Sequence, residues 1–341
     1  MTNTEYMDGV LNINKPAGMT SHDVVAQLRR FLRVKKVGHT GTLDPDATGV
    51  LPICLGKATK IIQFLQDNEK CYEGTMTLGI VTDTLDASGK VLHVSDSTHV
   101  AVDDVRKIFE RFVGEIDQIP PMVSAIKFQG KRLYSIARQG KTVDRKPRKI
   151  HVYDLQLLDF RHSLLDSSSW NLAPELSSIE CPMPCIELDF RARCSRGTYI
   201  RVLAADIGDV LKCGAHLSRL VRTKSGIFEL GDSIKLEEVQ ADPQSVTCFM
   251  RSMDDVLSVI PRIVITNLAR NRFLNGIPVN GSDVMCCEPD SAKFHVDDLI
   301  RIHDKAGELL GIARSTGTYI PAVELNPDLI VCRSVKVLKT T

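Results

Sequence analysis

The sequence predicts an α+β protein with a second, smaller all-β module at its C-terminal end. Three observations carry this. The chain has 341 residues, more than one domain usually holds. Through most of it, stretches that alternate with period two are interspersed with stretches of helical spacing. After Asp254 the pattern changes to short strand-like runs with turns between them, the mark of a small β-barrel.

In order, residues 8–16 alternate and end at Pro16, a short strand with a turn through Gly18. Thr20 or Ser21 caps a helix, on which Val24, Val25, Leu28, Phe31 and Leu32 share a face. Residues 56–66 read as a second helix, residues 70–80 as a strand, and Val91–Val94 as its return. Val102–Val113 is helical, with Val105, Ile108, Phe109 and Phe112 together. Residues 118–149 show no clean period and read as a long, partly mobile insertion. Residues 150–160 and Cys185–Cys194 are strands, and 161–184, rich in Ser and Pro, is a surface loop holding Trp170. Thr198 caps a helix with Ile200, Leu203, Ala204, Ile207 and Leu211 inward. The C-terminal runs are Arg262–Ile265, Leu299–His303, Leu309–Arg314 and Ile330–Leu338.

The acidic start M-T-N-T-E-Y-M-D is no signal peptide, and no apolar run has the roughly 18 residues of a membrane span. Both point to a cytoplasmic protein. The ten cysteines are irregularly spaced and include no C-x-x-C pair, so reduced thiols and no metal site are expected. Net charge is +1, but it is unevenly placed. Residues 126–150 hold nine basic residues and one acid, a net of +8. Residues 67–117 hold five basic and eleven acidic, a net of −6. The basic stretch interleaves Phe128 and Tyr134 with Lys127, Lys131, Arg132 and Arg138, a mix suited to phosphate contact and base stacking.

Residues 37–52, V-G-H-T-G-T-L-D-P-D-A-T-G-V-L-P, read as a glycine-shaped loop, either a solvated surface turn or a ligand loop whose reactive side chains are His39 and Asp44. Arg201 falls in the first turn of a predicted helix, where the dipole disfavours a cation, so it is either a solvated arginine, the more common case, or one that an anion faces. Asp44, with no base beside it in its own loop, is a candidate for that anion. A paired, oriented carboxylate can be a nucleophile. Tyr72, inside a strand, is either a half-buried core residue or a stacking platform for a planar ligand. Two motifs fail. Gly56-Lys57-Ala58-Thr59 lacks the spacing and hydroxyl of a phosphate loop. Asp83, Asp86 and Gly89 lack the spacing of a calcium loop, whose twelfth position would be Val94.

Together these segments resemble the TruB family of pseudouridine synthases. The resemblance runs from about Gly9 to Gly226 and more weakly to the end. It rests on L-N-I-N-K-P-A-G-M-T-S-H-D-V-V, G-H-T-G-T-L-D-P-D-A-T-G-V-L-P, K-C-Y, P-P-M-V-S-A-I-K-F-Q-G-K-R-L-Y-S-I-A-R-Q-G, R-G-T-Y-I-R and G-A-H-L-S, in this order. It implies a pseudouridine synthase fold over residues 1–250, with a central, mainly antiparallel mixed sheet flanked by helices. A PUA-like barrel over 254–341 would contact the acceptor stem. The implied reaction turns the uridine at position 55 in the tRNA T-loop into pseudouridine by base flipping, without cofactor or metal. Asp44 matches the catalytic aspartate, Tyr72 the tyrosine stacked on the flipped base, and Arg201 the arginine paired with the aspartate. His39 matches the histidine that enters the T-loop. Tyr199 and Leu220 match pocket residues, 121–149 the thumb that closes on the RNA, and Arg222 is expected as a further RNA contact.

One departure stands out. Many members read L-R-R where this chain has Leu220-Val221-Arg222, with Arg219 just before, so a basic RNA contact is moved or lost. The expected partner is the tRNA T stem-loop, bound by a monomer with no obligate protein partner and no membrane. Two other readings are a non-catalytic tRNA-binding chaperone on the same scaffold, and a catalytic subunit of an RNA-guided complex.

Overall fold

The computed structural model describes residues 7–66, 69–124, 126–165, 171, 173, 183–288, 294–317 and 328–338. β1 (Gly9–Lys15) leads into α1 (Ser21–Leu32). Thr20 caps α1 in a reciprocal box: its hydroxyl accepts from the Asp23 amide, and the Asp23 carboxylate accepts from the Thr20 amide. Val24, Val25, Leu28 and Leu32 are buried on the sheet. β2 (Val37–His39), the catalytic-loop candidate and β3 (Thr48–Leu55) follow. Residues 56–66 are a 3₁₀ turn, Gly56–Ile61, running into α2 (Ile62–Leu65). Then come β4 (Lys70–Leu78), β5 (Ile80–Thr82), β6 (Val91–Val94), α3 (Val102–Arg111) and β7 (Gly114–Gln118).

The basic insertion has more order than its sequence suggests. It contains a hairpin, β8 (Lys127–Phe128) with β9 (Lys131–Arg132), and α4 (Leu133–Ala137), whose Leu133 and Ile136 are buried.

β10 (Arg148–Leu165) and β11 (Met183–Cys194) pair antiparallel from Leu165↔Met183 inward. Residues 161–165 therefore belong to a strand, not to the expected surface loop. The alternation was hidden because both faces of this projecting hairpin carry polar residues. From the same segment, Asn171 and Ala173 exchange backbone hydrogen bonds with Val91. Trp170 lies outside the described residues.

α5 (Ile200–Val210) begins after Tyr199, so the expected cap at Thr198 is displaced by one residue. The Thr198 hydroxyl instead donates to the Ser195 carbonyl and closes the preceding turn. β12 (Ala215–Ser225), β13 (Phe228–Glu229), β14 (Ile234–Lys235) and α6 (Leu236–Ala241) complete the larger unit. Its sheet runs β14-β1-β3-β12-β4-β11-β10-β7, with β2 on β3 and β13 on β12. Only β1–β14 and β3–β12 are parallel, so the sheet is mixed and mainly antiparallel. α1, α3 and α5 cover one core, which includes Leu28, Phe109, Leu203, Met76, Phe190 and Leu220.

α7 (Met253–Val256) links to the second unit: β15 (Arg262–Ile265), α8 (Asn267–Leu274), β16 (Val279–Asn280), β17 (Val284–Glu288), β18 (Leu299–His303), β19 (Leu309–Ser315) and β20 (Ile330–Val337). Its six strands, in the order β16-β20-β19-β18-β15-β17, curl into a nearly closed, PUA-like barrel around Phe273, Phe294, Ile300 and Ile302. A third cluster joins the units: Val10, Cys54 and Phe228 pack with Val256, Ile312 and Leu338. No helix among the described residues is long and apolar enough to cross a membrane.

Candidate active site

Residues 41–47 leave the sheet between β2 and β3, and four side chains from distant elements tie them down. The buried Ser21 hydroxyl accepts from the Leu43 amide at 2.9 Å and donates to its carbonyl at 3.2 Å. The buried Lys15 ammonium donates to the carbonyls of Pro16, Met19 and Pro45 at 2.8, 2.6 and 2.7 Å. Arg222, 1 % exposed, donates to the carbonyls of Val50, Gly41 and Thr42 at 2.6, 3.2 and 3.4 Å. The fourth tie is Arg201. Gly49 has φ +99°, and a β-carbon there would lie 2.3 Å from the Arg222 carbonyl oxygen. Glycine is what lets β3 and β12 meet side by side at this point.

These ties present the Asp44 carboxylate to a cleft. Arg201 reaches it from the start of α5: Nη2 donates to Oδ1 at 3.1 Å, and Nε stands 2.9 Å from Oδ2 without hydrogen-bond alignment. Arg201 is 3 % exposed, and its other donors are also engaged. Nη1 donates to Asp86 Oδ2 at 3.2 Å and to the Thr84 carbonyl at 3.1 Å, and Nη2 to the Val123 carbonyl at 3.0 Å. One always-charged guanidinium thus faces two carboxylates, which explains a cation at a helix N-terminus. Asp86 belongs to the segment set aside as a failed calcium loop. It was missed because nothing in sequence separates an acid that orients an arginine from one that closes a turn, and it does both. Its Oδ1 accepts from the hydroxyls of Thr84 and Ser88, each at 2.6 Å.

Desolvation in the cleft raises the Asp44 carboxyl above the usual carboxylate range. Arg201 opposes this, and Asp86 adds to it. The side chain is still 40 % exposed toward the cleft mouth, so solvent tempers the rise, and the Arg201 contact favours the ionised form.

Two cavities meet at Asp44, Arg201 and Leu220. One, of about 310 Å³, is lined by Tyr72, Tyr199, Ser124 and Arg222. Tyr72, 6 % exposed, has its phenol pushed up to about 12 by burial, against the pull of Arg222. It is a neutral aromatic wall. Tyr199 is held by Gln118, whose side-chain oxygen accepts from the Tyr199 amide at 2.7 Å and whose amide nitrogen donates to its carbonyl at 3.1 Å. The other cavity, of about 260 Å³, is lined by Asp46, Asp86, Ser88, Ser218 and Arg219.

Sequence reasoning therefore named Asp44, Tyr72, Arg201, Tyr199 and Leu220, and all five line one cavity. Arg222 stands with them but as a brace: its guanidinium is buried on loop carbonyls and offers no charge to solvent. His39, half-buried, makes edge-on contact with His22, 5.8 Å between ring centres. Burial lowers its pKa to about 4, and the nearby charges of His22, Arg222 and Arg132 add to the effect. Lys127, Lys131 and Arg132 are exposed on the hairpin, and Arg138 is exposed just after α4. Arg138 stacks over Tyr134 at 5.7 Å. Lys15 and Gln118 were not assigned roles. The signal for Lys15 was a lysine within a strand of otherwise inward residues. Among the described residues, no group of three or more His, Cys, Asp or Glu side chains could hold a metal ion.

Residues 29–200 match the family model described as TruB family pseudouridylate synthase, N-terminal domain. Residues 201–258 match the tRNA pseudouridylate synthase B C-terminal domain. The chain belongs to the TruB family of pseudouridine synthases. It is 45% identical over 271 residues to the tRNA pseudouridine synthase B of Symbiobacterium thermophilum, covering 80% of this chain and 83% of that one. It is 38% identical over 319 residues to that of Clostridium tetani, covering 94% and 99%. Among solved structures, "Crystal Structure of a Cbf5-Nop10-Gar1 Complex" superposes with a TM-score of 0.70 at 27% identity, covering 97% of this chain and 85% of that one. "Structure of H/ACA RNP bound to a substrate RNA containing 2'-deoxyuridine" does so with a TM-score of 0.69 at 25% identity, covering 97% and 85%. As a TruB enzyme the chain is an isomerase that converts uridine in tRNA to pseudouridine.

Proposed function

We propose that this TruB enzyme acts on the uridine at position 55 in the T-loop of tRNA, with Asp44 as nucleophile. The observation that supports it is the placement of the Asp44 carboxylate, paired with buried Arg201, at the wall of a cavity that Tyr72 closes with an aromatic face. The target base must leave a folded loop, which costs a few kcal/mol. His39, neutral at physiological pH, is the wedge that takes its place. Lys127, Lys131, Arg132 and Arg138 hold phosphates and offset the cost.

In the cavity the base stacks on Tyr72 beside Leu220 and Tyr199. The Asp44 carboxylate attacks the nucleoside and the N1–C1′ bond breaks. The freed uracil turns and C5 bonds to C1′, expelling the Asp44 carboxylate and restoring the enzyme. C5 loses its hydrogen as a proton and N1 gains one, so the product is an isomer. Arg201 keeps the free carboxylate ionised and aimed before the attack and receives it again on release. Residues 1–250 form the catalytic domain, with the thumb at about 121–149. Residues 254–341 form the domain that contacts the acceptor stem. The near balance of ten basic and eleven acidic residues from Asp254 onward makes the thumb the stronger RNA grip. The enzyme works in the cytoplasm as a monomer without a protein partner.

The test uses purified protein and a bare T stem-loop. Wild type should form pseudouridine at position 55 alone. Asp44→Asn should form none while binding the RNA within a few fold. Conversion only after another protein or a guide RNA is added would favour a complex.

A further inference from the structure

β12 pairs with β3 only at Val221↔Thr48 and Arg222↔Gly49. Before that point it is free of β3, and the gap between residues 217–220 and the Asp44 loop is the cavity of about 260 Å³. Arg219 stands at its rim. The residue is exposed, and its Nε donates to the Thr75 hydroxyl at 3.3 Å. That hydroxyl in turn donates to Asp189 at 2.6 Å.

The other basic residues nearby on this face of the sheet each hold an acid. Arg161 reaches Asp189 at 2.6 Å, Arg191 reaches Glu73 at 2.8 Å, Arg193 reaches Glu69 at 3.0 Å and Lys224 reaches Glu229 at 2.6 Å. Among the described residues Arg219 makes no ion pair of its own, although its charge reaches Asp189 and helps hold that carboxyl low. Asp189, the carboxylate that would suit it, is already taken on both oxygens by Arg161. Arg219 is thus steered by a neutral hydroxyl and keeps its Nη groups for something else. It sits beside a cavity that already contains Asp44 and Asp86, where a further cation favours an incoming anion. The hydroxyls of Ser88 and Ser218 line the same cavity.

We propose that Arg219 grips a backbone phosphate of the tRNA strand flanking the flipped uridine, with Thr75 holding its guanidinium in place. This rests on the reading of Asp44 as the residue facing the target uridine. Arg219 lies two positions along β12 from Val221, so the grip expected at Val221 is shifted along the strand. Arg219 is a positioning residue: it anchors the strand and does not touch the reacting atoms.

The test measures binding of a fluorescent T stem-loop over a salt series, with turnover measured in parallel. Arg219→Ala should weaken binding roughly tenfold, the size of one charge-assisted hydrogen bond. It should also reduce the slope of log affinity against log salt by about 0.7 to 0.9. Arg219→Lys should restore the slope, and kcat should stay within about threefold in both. Replacing one phosphate beside the target with a neutral methylphosphonate should abolish the difference between wild type and Arg219→Ala. Equal affinities and slopes would overturn the proposal, as would a penalty that persists with every flanking phosphate neutralised in turn. Loss of turnover is read separately: if wild type binds but makes no pseudouridine, the assignment of the target fails, while the binding series still decides on Arg219.

Discussion

Arg201 meets Asp44 with two nitrogens, 3.1 and 2.9 Å from its two carboxylate oxygens, while the same guanidinium holds Asp86 at 3.2 Å. The carboxylate proposed as nucleophile is therefore aimed by a group that is itself fixed from the far side.

Arg201→Lys keeps the charge but loses the planar fork, and a single ammonium cannot face two acids and two carbonyls. kcat should fall by about 100- to 1000-fold, the range seen when a preorganised donor is removed. RNA affinity should change little. Single-turnover kinetics with labelled stem-loop separates the two.

Asp86→Asn removes one anchor of Arg201 and one like charge near Asp44. The first effect should lower kcat, by about tenfold on the scale of one charge-assisted bond. The second works on pH. Asp86 raises the Asp44 pKa, so its loss lowers that pKa. Asp44 works ionised, so the acid limb of the rate profile should move to lower pH. A pH–rate profile of the variant checks both.

The Asp44–Arg201 pairing was legible in sequence only in part: a cation at a helix start is anomalous and allows an anion to face it, and the family resemblance supplied Asp44 as that anion. Asp86 was not, because turns are rich in aspartate and its partner lies 115 residues away. The central sheet was only partly legible. β1, β4 and β11 alternate clearly, whereas β12 carries charges at alternate and buried positions alike. Arg222 lies inward there with its charge satisfied by carbonyls of the Asp44 loop, something no local pattern encodes. The basic insertion lacked a period because its hairpin strands are two residues long and its helix five.

Burial lowers the Lys15 pKa to about 8 from 10.5, although Asp46 and Asp44 pull it up. Between those values the unfolded chain holds a proton that the folded one has released. Stability contributed by this group therefore rises with pH across that window. Wild type should gain stability relative to Lys15→Met from pH 8 upward, by urea melts at each pH. Activity should move the other way, since a neutral amine has two N–H groups for three carbonyls and the Asp44 loop loses a tie.

His39, with its pKa lowered to about 4, is uncharged through the working range. The ratio of stem-loop affinities of wild type and His39→Gln should stay constant between about pH 5.5 and 7.5. A ratio that grows on acidification would show a protonated His39 in the complex.

Gly49→Ala would place a methyl 2.3 Å from the Arg222 carbonyl oxygen at a backbone angle that disfavours side chains. It should destabilise the fold by more than about 2 kcal/mol, with activity falling in step with the folded fraction. Thermal and denaturant melts read this directly.

The most direct test of the account is the amount of pseudouridine formed at position 55 of a bare T stem-loop by Asp44→Asn, at enzyme concentrations where binding is shown to be saturated. The account predicts none in single-turnover time courses in which wild type goes to completion. Pseudouridine formed by Asp44→Asn at even a tenth of the wild-type rate would contradict it.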